Sequence, residues 1–174
     1  YNDPEIRKLM NVDIEGLRKL NQDIIGWICI PDTDIYYPLL YGKDNEYYLG
    51  HSWNNKPSVA GAIFVEHENA ADLSDFNTII YGHNMRSGSM FGSLKEYGNQ
   101  SYWRDHPYIY ICSENGVFRY DIFAAYEVST ESITYAMDIK EPELRAQFIG
   151  YALDNSEIDT GIVPAEFSSI LTLS

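Results

Sequence analysis

The chain has 174 residues, 45% of them hydrophobic, and a formal net charge of −14 at pH 7. This length and composition argue for one domain with a real core and against a disordered chain. The negative charge disfavours nucleic acid as a partner, because phosphate binding depends on clustered Lys and Arg.

The N-terminal segment is predicted to be an amphipathic helical arm that lies on the main body. Apolar residues recur there at the helical spacing of three and four: Ile6, Leu9, Met10, Ile14, Leu17 and Leu20. Pro4 suits a first helical turn, and Asp13 is a predicted N-cap that separates two helices. We therefore divide the chain into the arm, residues 1–22, and a barrel domain, residues 23–174.

After the arm, the sequence changes to short β-rich runs bounded by turn residues. The predicted strands cover residues 24–30, 35–40, 61–66, 77–81, 108–112, 117–123 and 170–174. An Asn-Gly pair at 115–116 is a strong hairpin signal. A short helical turn is predicted at 45–50, and a long helix at 141–158 before the last strand. This pattern indicates a mostly-β barrel with helical additions.

The most informative motif is Tyr-Gly-His-Asn-Met at 81–85, followed by Ser-Met-Phe at 89–91. It places His83 at the end of an apolar strand, where glycine and serine residues permit a tight loop. Histidine changes charge near neutral pH, so this position suits proton transfer. On the residues alone, a surface or capping histidine remains the simpler alternative.

Other residues give weaker chemical signals. Glu66-His67-Glu68 suggests a metal site, but adjacent strand residues point to opposite faces, so we do not expect Glu66 and His67 to converge. A solvated acidic loop is the preferred interpretation there. Three serines are candidate nucleophiles, although none lies in a Gly-x-Ser-x-Gly elbow: Ser168, Ser169 and Ser174.

Two cysteines and one arginine are assigned structural roles. Cys29 and Cys112 lie inside predicted strands, away from any partner at metal-ligand spacing, and are predicted to be buried thiols. Arg119 lies two residues from Asp121 on one strand face, so we expect it to form a salt bridge rather than stabilise an oxyanion.

Several segments, in order along nearly the whole chain, resemble the class B sortases, the cysteine transpeptidases of Gram-positive cell surfaces. The segments are residues 25–27, 30–31, 45–49, 61–64, 78–85, 89–94 and 171–174. The two N-terminal helices and the helix at 141–158 are also similar to class B features. The resemblance implies a sortase-like β-barrel of eight strands, with the last strand missing from this chain.

The resemblance also implies a triad of His, Cys and Arg. His83 matches the family histidine, the general acid and base. The nucleophilic cysteine is expected two positions beyond Ser174, and the arginine on the following strand, so neither Cys29 nor Cys112 matches the nucleophile. Implied substrate contacts are Asn45, Leu49, Thr130, Thr134, Tyr135 and Ser174. No metal and no cofactor are expected.

The implied reaction is acyl transfer through a thioester. A sorting motif of the Asn-Pro-x-Thr-x type is cleaved after Thr, and the protein is joined to a peptidoglycan amine. The implied partners are surface proteins that carry a sorting signal and the amine of a peptidoglycan precursor or stem peptide. We expect a monomer on the extracellular face of the cell membrane of a Gram-positive bacterium, anchored by a removed N-terminal segment.

Two alternatives remain open. The first is a sortase-like barrel that binds peptide without catalysis. The second is a hydrolase on a similar barrel that uses a serine or a metal.

Overall fold

Two short helices precede the sheet, α1 at Pro4–Met10 and α2 at Ile14–Leu20, in the computed structural model, which describes residues 3–174. Each is capped by an aspartate: Asp3 accepts from the amide of Glu5, and Asp13 from the amide of Gly16. These bonds satisfy amides that a helix start otherwise leaves unpaired. The predicted helix pair and the Asp13 cap are confirmed, while residues 1 and 2 of the arm lie outside the described residues.

Seven strands form one mixed sheet that curls into a nearly closed barrel. They are β1 Ile24–Cys29, β2 Tyr36–Leu40, β3 Ile63–Val65, β4 Asn77–Tyr81, β5 Tyr108–Ser113, β6 Gly116–Asp121 and β7 Ile170–Leu173. Their order in the sheet is β6-β5-β1-β2-β3-β4-β7, so β6 and β7 are its edges. The β2–β3 and β4–β7 pairs are parallel, and the others are antiparallel. The predicted mostly-β barrel is confirmed. Each predicted strand matches an observed strand, and their ends differ by at most two residues.

The main core lies inside the curled sheet, where the β-rich runs place their branched side chains. Its fully buried members include Ile28, Leu39, Ile63, Val65, Ile80 and Ile111. Burial of each such side chain contributes roughly 1.5–3 kcal/mol. The core therefore fixes the strand ends from which the functional loops emerge.

A second buried cluster joins the helical arm to the outer face of the sheet. Leu9 and Ile14 pack there against Tyr110 and both cysteines, Cys29 and Cys112. The cysteines are buried and free, as predicted. Burial raises the pKa of the Cys29 thiol to about 11, with a smaller contribution from the nearby Glu5 carboxylate. Neither thiol lies at the barrel rim described below.

Two further α-helices and three 3-10 segments connect the strands. Helix α3 spans Gln100–Asp105, and helix α4 spans Pro142–Asn155. The predicted long helix is confirmed, but it ends at Asn155 rather than at residue 158, because the extended backbone of Ser156 stops it. Three 3-10 turns cover Tyr47–Leu49, Gly92–Gly98 and Ile133–Tyr135. The second and third turns and α3 were not predicted from the sequence. No helix within residues 3–174 is long and apolar enough to cross a membrane.

Candidate active site at the barrel rim

His83 lies half-buried at the rim of the barrel, two residues after the end of β4. Its Nε2 atom lies 2.7 Å from the carbonyl oxygen of Leu49. A carbonyl oxygen only accepts hydrogen bonds, so Nε2 carries the proton in this contact. The neutral imidazole then has its lone pair on Nδ1, and Nδ1 is the nitrogen available for proton transfer.

The backbone after His83 closes into a short loop. The amide of Phe91 donates to the carbonyl of His83 at 3.0 Å, and Asn84 forms an isolated bridge with Met90. Met90 has a φ of 55°, which is uncommon for a residue other than glycine, and its amide donates to the Tyr37 hydroxyl at 2.9 Å. These bonds fix the backbone that carries the imidazole.

Gly61 lies against the His83 imidazole from a neighbouring segment. This role was not predicted, because in the sequence Gly61 is only a glycine at the start of a predicted strand. Its φ is +63°, and an added Cβ would lie 2.3 Å from the Tyr48 carbonyl oxygen. The same Cβ would lie 3.0 Å from the Leu49 carbonyl oxygen and 3.1 Å from Cδ2 of His83. Glycine is thus required by both the backbone conformation and the available space.

Of the predicted contacts, Asn45 precedes the first 3-10 turn, Tyr47–Leu49, and Leu49 is its last residue. The Leu49 side chain is 44% exposed, and its carbonyl binds His83. The Asn45 amide is engaged within the protein: Nδ2 donates to Glu66 Oε2 at 2.6 Å, and Oδ1 accepts from the His67 amide at 3.0 Å. Asn45 therefore connects the turn to the end of β3.

Glu66 is a buried carboxylate beneath this turn, with 6% of its surface exposed. Contrary to our expectation, it contacts His67, whose Nδ1 lies 3.0 Å from Glu66 Oε1. The alternation argument was wrong because β3 ends at Val65, so strand geometry no longer separates the two side chains. Within residues 3–174, no group of three or more His, Cys, Asp or Glu could hold a metal ion.

Hydrogen bonding outweighs burial in setting the pKa of Glu66. Burial alone raises the pKa of this carboxyl, but hydrogen bonds from Asn45, the Glu68 amide and Tyr81 lower it. The net pKa lies below the ordinary value of 4.5. Glu66 is therefore ionised at neutral pH and accepts hydrogen bonds with both oxygens.

Ser174 and Tyr135 lie on the other side of His83. Their hydroxyl oxygens are 2.9 Å apart. The Ser174 amide donates to the Ile80 carbonyl at 2.8 Å, and its carbonyl accepts from the Gly82 amide at 2.9 Å. The structure thus brings four of the predicted site residues to one rim: Leu49, His83, Tyr135 and Ser174.

The two predicted threonines differ in their surroundings. Thr134 is only 6% exposed, and its Oγ1 atom contacts the Tyr126 hydroxyl at 2.9 Å and the Ser132 hydroxyl at 3.0 Å. Thr130 is exposed on the preceding turn and does not join the hydrogen-bonded cluster within residues 3–174. Thr134 accordingly has a packing role in this structure, beneath Tyr135.

Asn77 anchors this second group from inside the barrel, and it was not predicted as a site residue. It is fully buried, and its Nδ2 donates to the carbonyls of Thr134 and Ala136 at 2.8 and 2.9 Å. Its Oδ1 accepts from the Thr172 hydroxyl at 2.7 Å. In the sequence, the one feature that could have indicated this role is a polar residue at the start of the apolar run 77–81.

An open cavity of about 1150 Å³ lies beside the rim and is lined by both edge strands. Its lining includes Phe118, Tyr120, Tyr135, Leu171, Leu173 and Ser174. Two of these residues, Tyr135 and Ser174, belong to the group next to His83. The cavity therefore borders the Tyr135–Ser174 part of the rim, and its lining includes neither His83 nor Leu49.

The remaining candidates lie outside this group. Arg119 pairs with Asp121 at 3.3 Å, as predicted, and its guanidinium lies 4.4 Å from the centre of the Tyr108 ring. Ser168 and Ser169 make no contact with a histidine in the described part of the chain. His83 is consequently the residue around which the rim site is organised.

The sequence matches the sortase domain family over residues 28–152. It is 43% identical to sortase B of Listeria monocytogenes over 133 residues, which are 75% of this chain and 52% of the relative. It is 31% identical to sortase B of Staphylococcus aureus over 160 residues, 92% of this chain and 66% of the relative. The chain belongs to the sortase family.

Solved structures of class B sortases have the same fold. The Staphylococcus aureus sortase B–substrate complex superposes with a TM-score of 0.90 at 29% identity, covering 97% of this chain and 80% of that chain. Listeria monocytogenes sortase B gives a TM-score of 0.84 at 36% identity, covering 92% and 91%. The resemblance to class B sortases is thereby confirmed. The chain spans 52% and 66% of the length of the two curated relatives.

Proposed function

We propose that this chain forms most of the catalytic domain of a cysteine transpeptidase of the sortase B type. The enzyme cleaves a sorting motif of the Asn-Pro-x-Thr-x type after Thr and transfers the protein to a peptidoglycan amine through a thioester. Surface proteins that carry the motif are its substrates. We place the enzyme as an anchored monomer on the extracellular face of the membrane of a Gram-positive bacterium.

The register between β4 and β7 is the observation that carries the proposal. These parallel strands pair Asn77 with Ile170 and Ile80 with Leu173, and Ser174 continues the ladder by hydrogen bonds to Ile80 and Gly82. A residue two positions after Ser174, in the same register, would lie opposite His83. This is the position at which the resemblance places the nucleophilic cysteine.

His83 is suited to the proton transfers of this reaction. The thiolate attacks the Thr carbonyl carbon, and protonated Nδ1 of His83 gives its proton to the departing amine as the C–N bond breaks. Neutral Nδ1 then takes a proton from the incoming amine, which displaces the thiolate from the thioester. The Leu49 carbonyl accepts from Nε2 in both states, so the ring keeps its orientation throughout the cycle.

Complexes of similar proteins support a peptide substrate and an amine acceptor. One relative is a sortase B–substrate complex, and another is a sortase B complexed with triglycine, at a TM-score of 0.88 and 31% identity. In this chain, the exposed Leu49 side chain and the Tyr135–Ser174 pair flank His83. We propose that the sorting motif binds between them, with Asn45, Thr130 and Thr134 as the further predicted contacts.

The test uses the full-length protein from its complete coding sequence, a fluorogenic sorting-motif peptide and triglycine. We expect a peptide–triglycine product whose formation is abolished by a thiol alkylator. His83→Ala should lower kcat/KM by roughly 10²- to 10⁴-fold, the usual contribution of a general acid–base residue. The matched control is His106→Ala. His106 is a histidine at the C-terminal end of α3, where its Nδ1 contacts the Tyr102 carbonyl, and it is not one of the rim residues.

Three results would contradict the proposal. Binding of the peptide without turnover by the wild-type protein would indicate the inactive barrel. Turnover that resists alkylation but is lost with a chelator would indicate a metal hydrolase. Full activity of His83→Ala would remove the central residue from the mechanism.

A further inference from the structure

We propose that Glu66 is a positioning residue of this site, whose buried carboxylate holds the Leu49 carbonyl against His83. The catalytic consequence rests on the proposed function, whereas the structural consequence is independent of it. Glu66 acts on the His83 imidazole indirectly, through the two segments that meet in the His83–Leu49 hydrogen bond.

The Glu66 carboxylate is saturated with donors. Its Oε2 atom accepts from Asn45 Nδ2 at 2.6 Å and from the Tyr81 hydroxyl at 3.0 Å. Its Oε1 atom contacts His67 Nδ1 at 3.0 Å and the Glu68 amide at 3.2 Å. Hydrogen bonds to an ionised acceptor are stronger than those between neutral groups, and they strengthen further when shielded from water.

Two of these donors belong to the segments that form the site. Asn45 lies four residues before Leu49, at the entry to the 3-10 turn, and Tyr81 lies two residues before His83, at the end of β4. Both donate to the same oxygen, Oε2. The carboxylate therefore ties the carbonyl-bearing turn to the imidazole-bearing loop through one atom.

Loss of this acceptor should change the state of the imidazole. Gln at position 66 would carry no charge and would offer one acceptor oxygen to the four donors, so the bonds from Asn45 and Tyr81 would be lost or weakened. The 3-10 turn would then be free to move, and Nε2 of His83 would lose a fixed acceptor. The neutral imidazole would populate both tautomers, and only the Nε2–H form leaves Nδ1 available for proton transfer.

The experiment compares Glu66→Gln with Glu68→Gln in the full-length protein. The control removes the same charge from an exposed neighbour whose amide, not its side chain, contacts Glu66. Side-chain ¹⁵N NMR of His83 reports the tautomer, and steady-state kinetics separate kcat from KM. We expect Glu66→Gln to give mixed tautomers and a kcat about 10- to 100-fold lower, because small displacements of catalytic groups have effects of this size.

Each outcome decides the proposal. Mixed tautomers in Glu66→Gln but not in Glu68→Gln support it, and an unchanged Nε2–H tautomer with unchanged kcat overturns it, even if stability falls. If Glu66→Gln does not fold, Tyr81→Phe removes one donor to Oε2 and must shift the tautomer in the same direction. If the wild-type protein has no transpeptidase activity, the proposed function fails, and the NMR result still decides the role of Glu66.

Discussion

The two sides of the rim are held by different physical means. The His83 wall, residues 45–49, 61, 66 and 81–83, is tied together by the ionised Glu66 carboxylate. The Tyr135 wall, residues 133–136 and 174, is tied to the barrel by the neutral amide of Asn77. Both anchors are buried and satisfied, but only the first carries a charge that acid can remove.

This difference assigns different tasks to the two walls. A charged anchor with four donors fixes the orientation of the His83 imidazole, which needs one defined tautomer if it is the acid–base group of the proposed function. A neutral amide fixes a surface turn next to a sheet edge, which needs only a defined position. The comparison predicts that substitutions in the His83 wall affect proton transfer as well as stability, and that those in the Tyr135 wall affect stability and substrate binding without affecting proton transfer.

The largest stability effect is expected for Asn77→Ala. This change leaves the carbonyls of Thr134 and Ala136 and the Thr172 hydroxyl without their partner. Because each unpaired buried polar group costs roughly 1–3 kcal/mol, we expect a loss of about 4 kcal/mol in the free energy of unfolding. Urea unfolding measures it, with the exposed Asn155→Ala as a control that should lose less than about 0.5 kcal/mol. A loss equal to that of the control would show that Asn77 does not anchor the wall.

Gly61→Ala should have the next largest effect on stability. The added methyl group meets the Tyr48 and Leu49 carbonyls and the imidazole, in addition to the strain of a positive φ. Gly161 provides a matched control, because its φ of +68° is similar and nothing lies within 4 Å of an added Cβ. We expect Gly161→Ala to lower the free energy of unfolding by about 1 kcal/mol, from backbone strain alone. Gly61→Ala should lower it by at least about 2 kcal/mol. Only Gly61→Ala should lower kcat, and equal effects of the two would refute the proposed contact with His83.

A smaller effect is expected in acid, where only the His83 wall should lose stability. The folded pKa of Glu66 lies below its ordinary value of 4.5, so its stabilising effect is complete above that value and is lost as the pH falls through the folded pKa. The difference in unfolding free energy between wild type and Glu66→Gln should therefore narrow below about pH 4.5. The difference for Asn77→Ala should stay constant over the same range. Urea unfolding from about pH 7 to about pH 3.5 tests both, and parallel curves for the two variants would contradict the distinction.

The parts of the fold that follow local periodicity could be predicted from the sequence. The strands, the two capped N-terminal helices and the long helix from Pro142 depend on neighbours within a few residues. His83 could also be located, because a strand end and a glycine before it are local features. The Leu49–His83 hydrogen bond could not be predicted from the sequence, since its partners are 34 residues apart and the acceptor is a main-chain atom.

The other features of the site depend on tertiary structure and could not be predicted from local sequence. The prediction for Glu66 assumed that β3 continued past Val65, although the chain turns there to meet Asn45. The burial of Thr134 could not be predicted, because the segment around it has no clear period and Asn77, which donates to its carbonyl, is distant in sequence. The register of Ser174 against Gly82 likewise requires two strands that are distant in sequence.

The smallest effect on stability is expected for Tyr135→Phe. This change removes only the hydroxyl contact with the exposed Ser174, where water can replace the lost partner. We expect Tyr135→Phe to lower the free energy of unfolding by less than about 0.5 kcal/mol. Tyr126→Phe should lower it by about 1 kcal/mol, because the Tyr126 hydroxyl contacts the buried Thr134. If the Tyr135 wall binds the sorting motif, Tyr135→Phe should raise KM of the full-length protein while kcat stays unchanged. A lowered kcat with an unchanged KM would instead place Tyr135 with His83 in the chemistry and remove the division between the two walls.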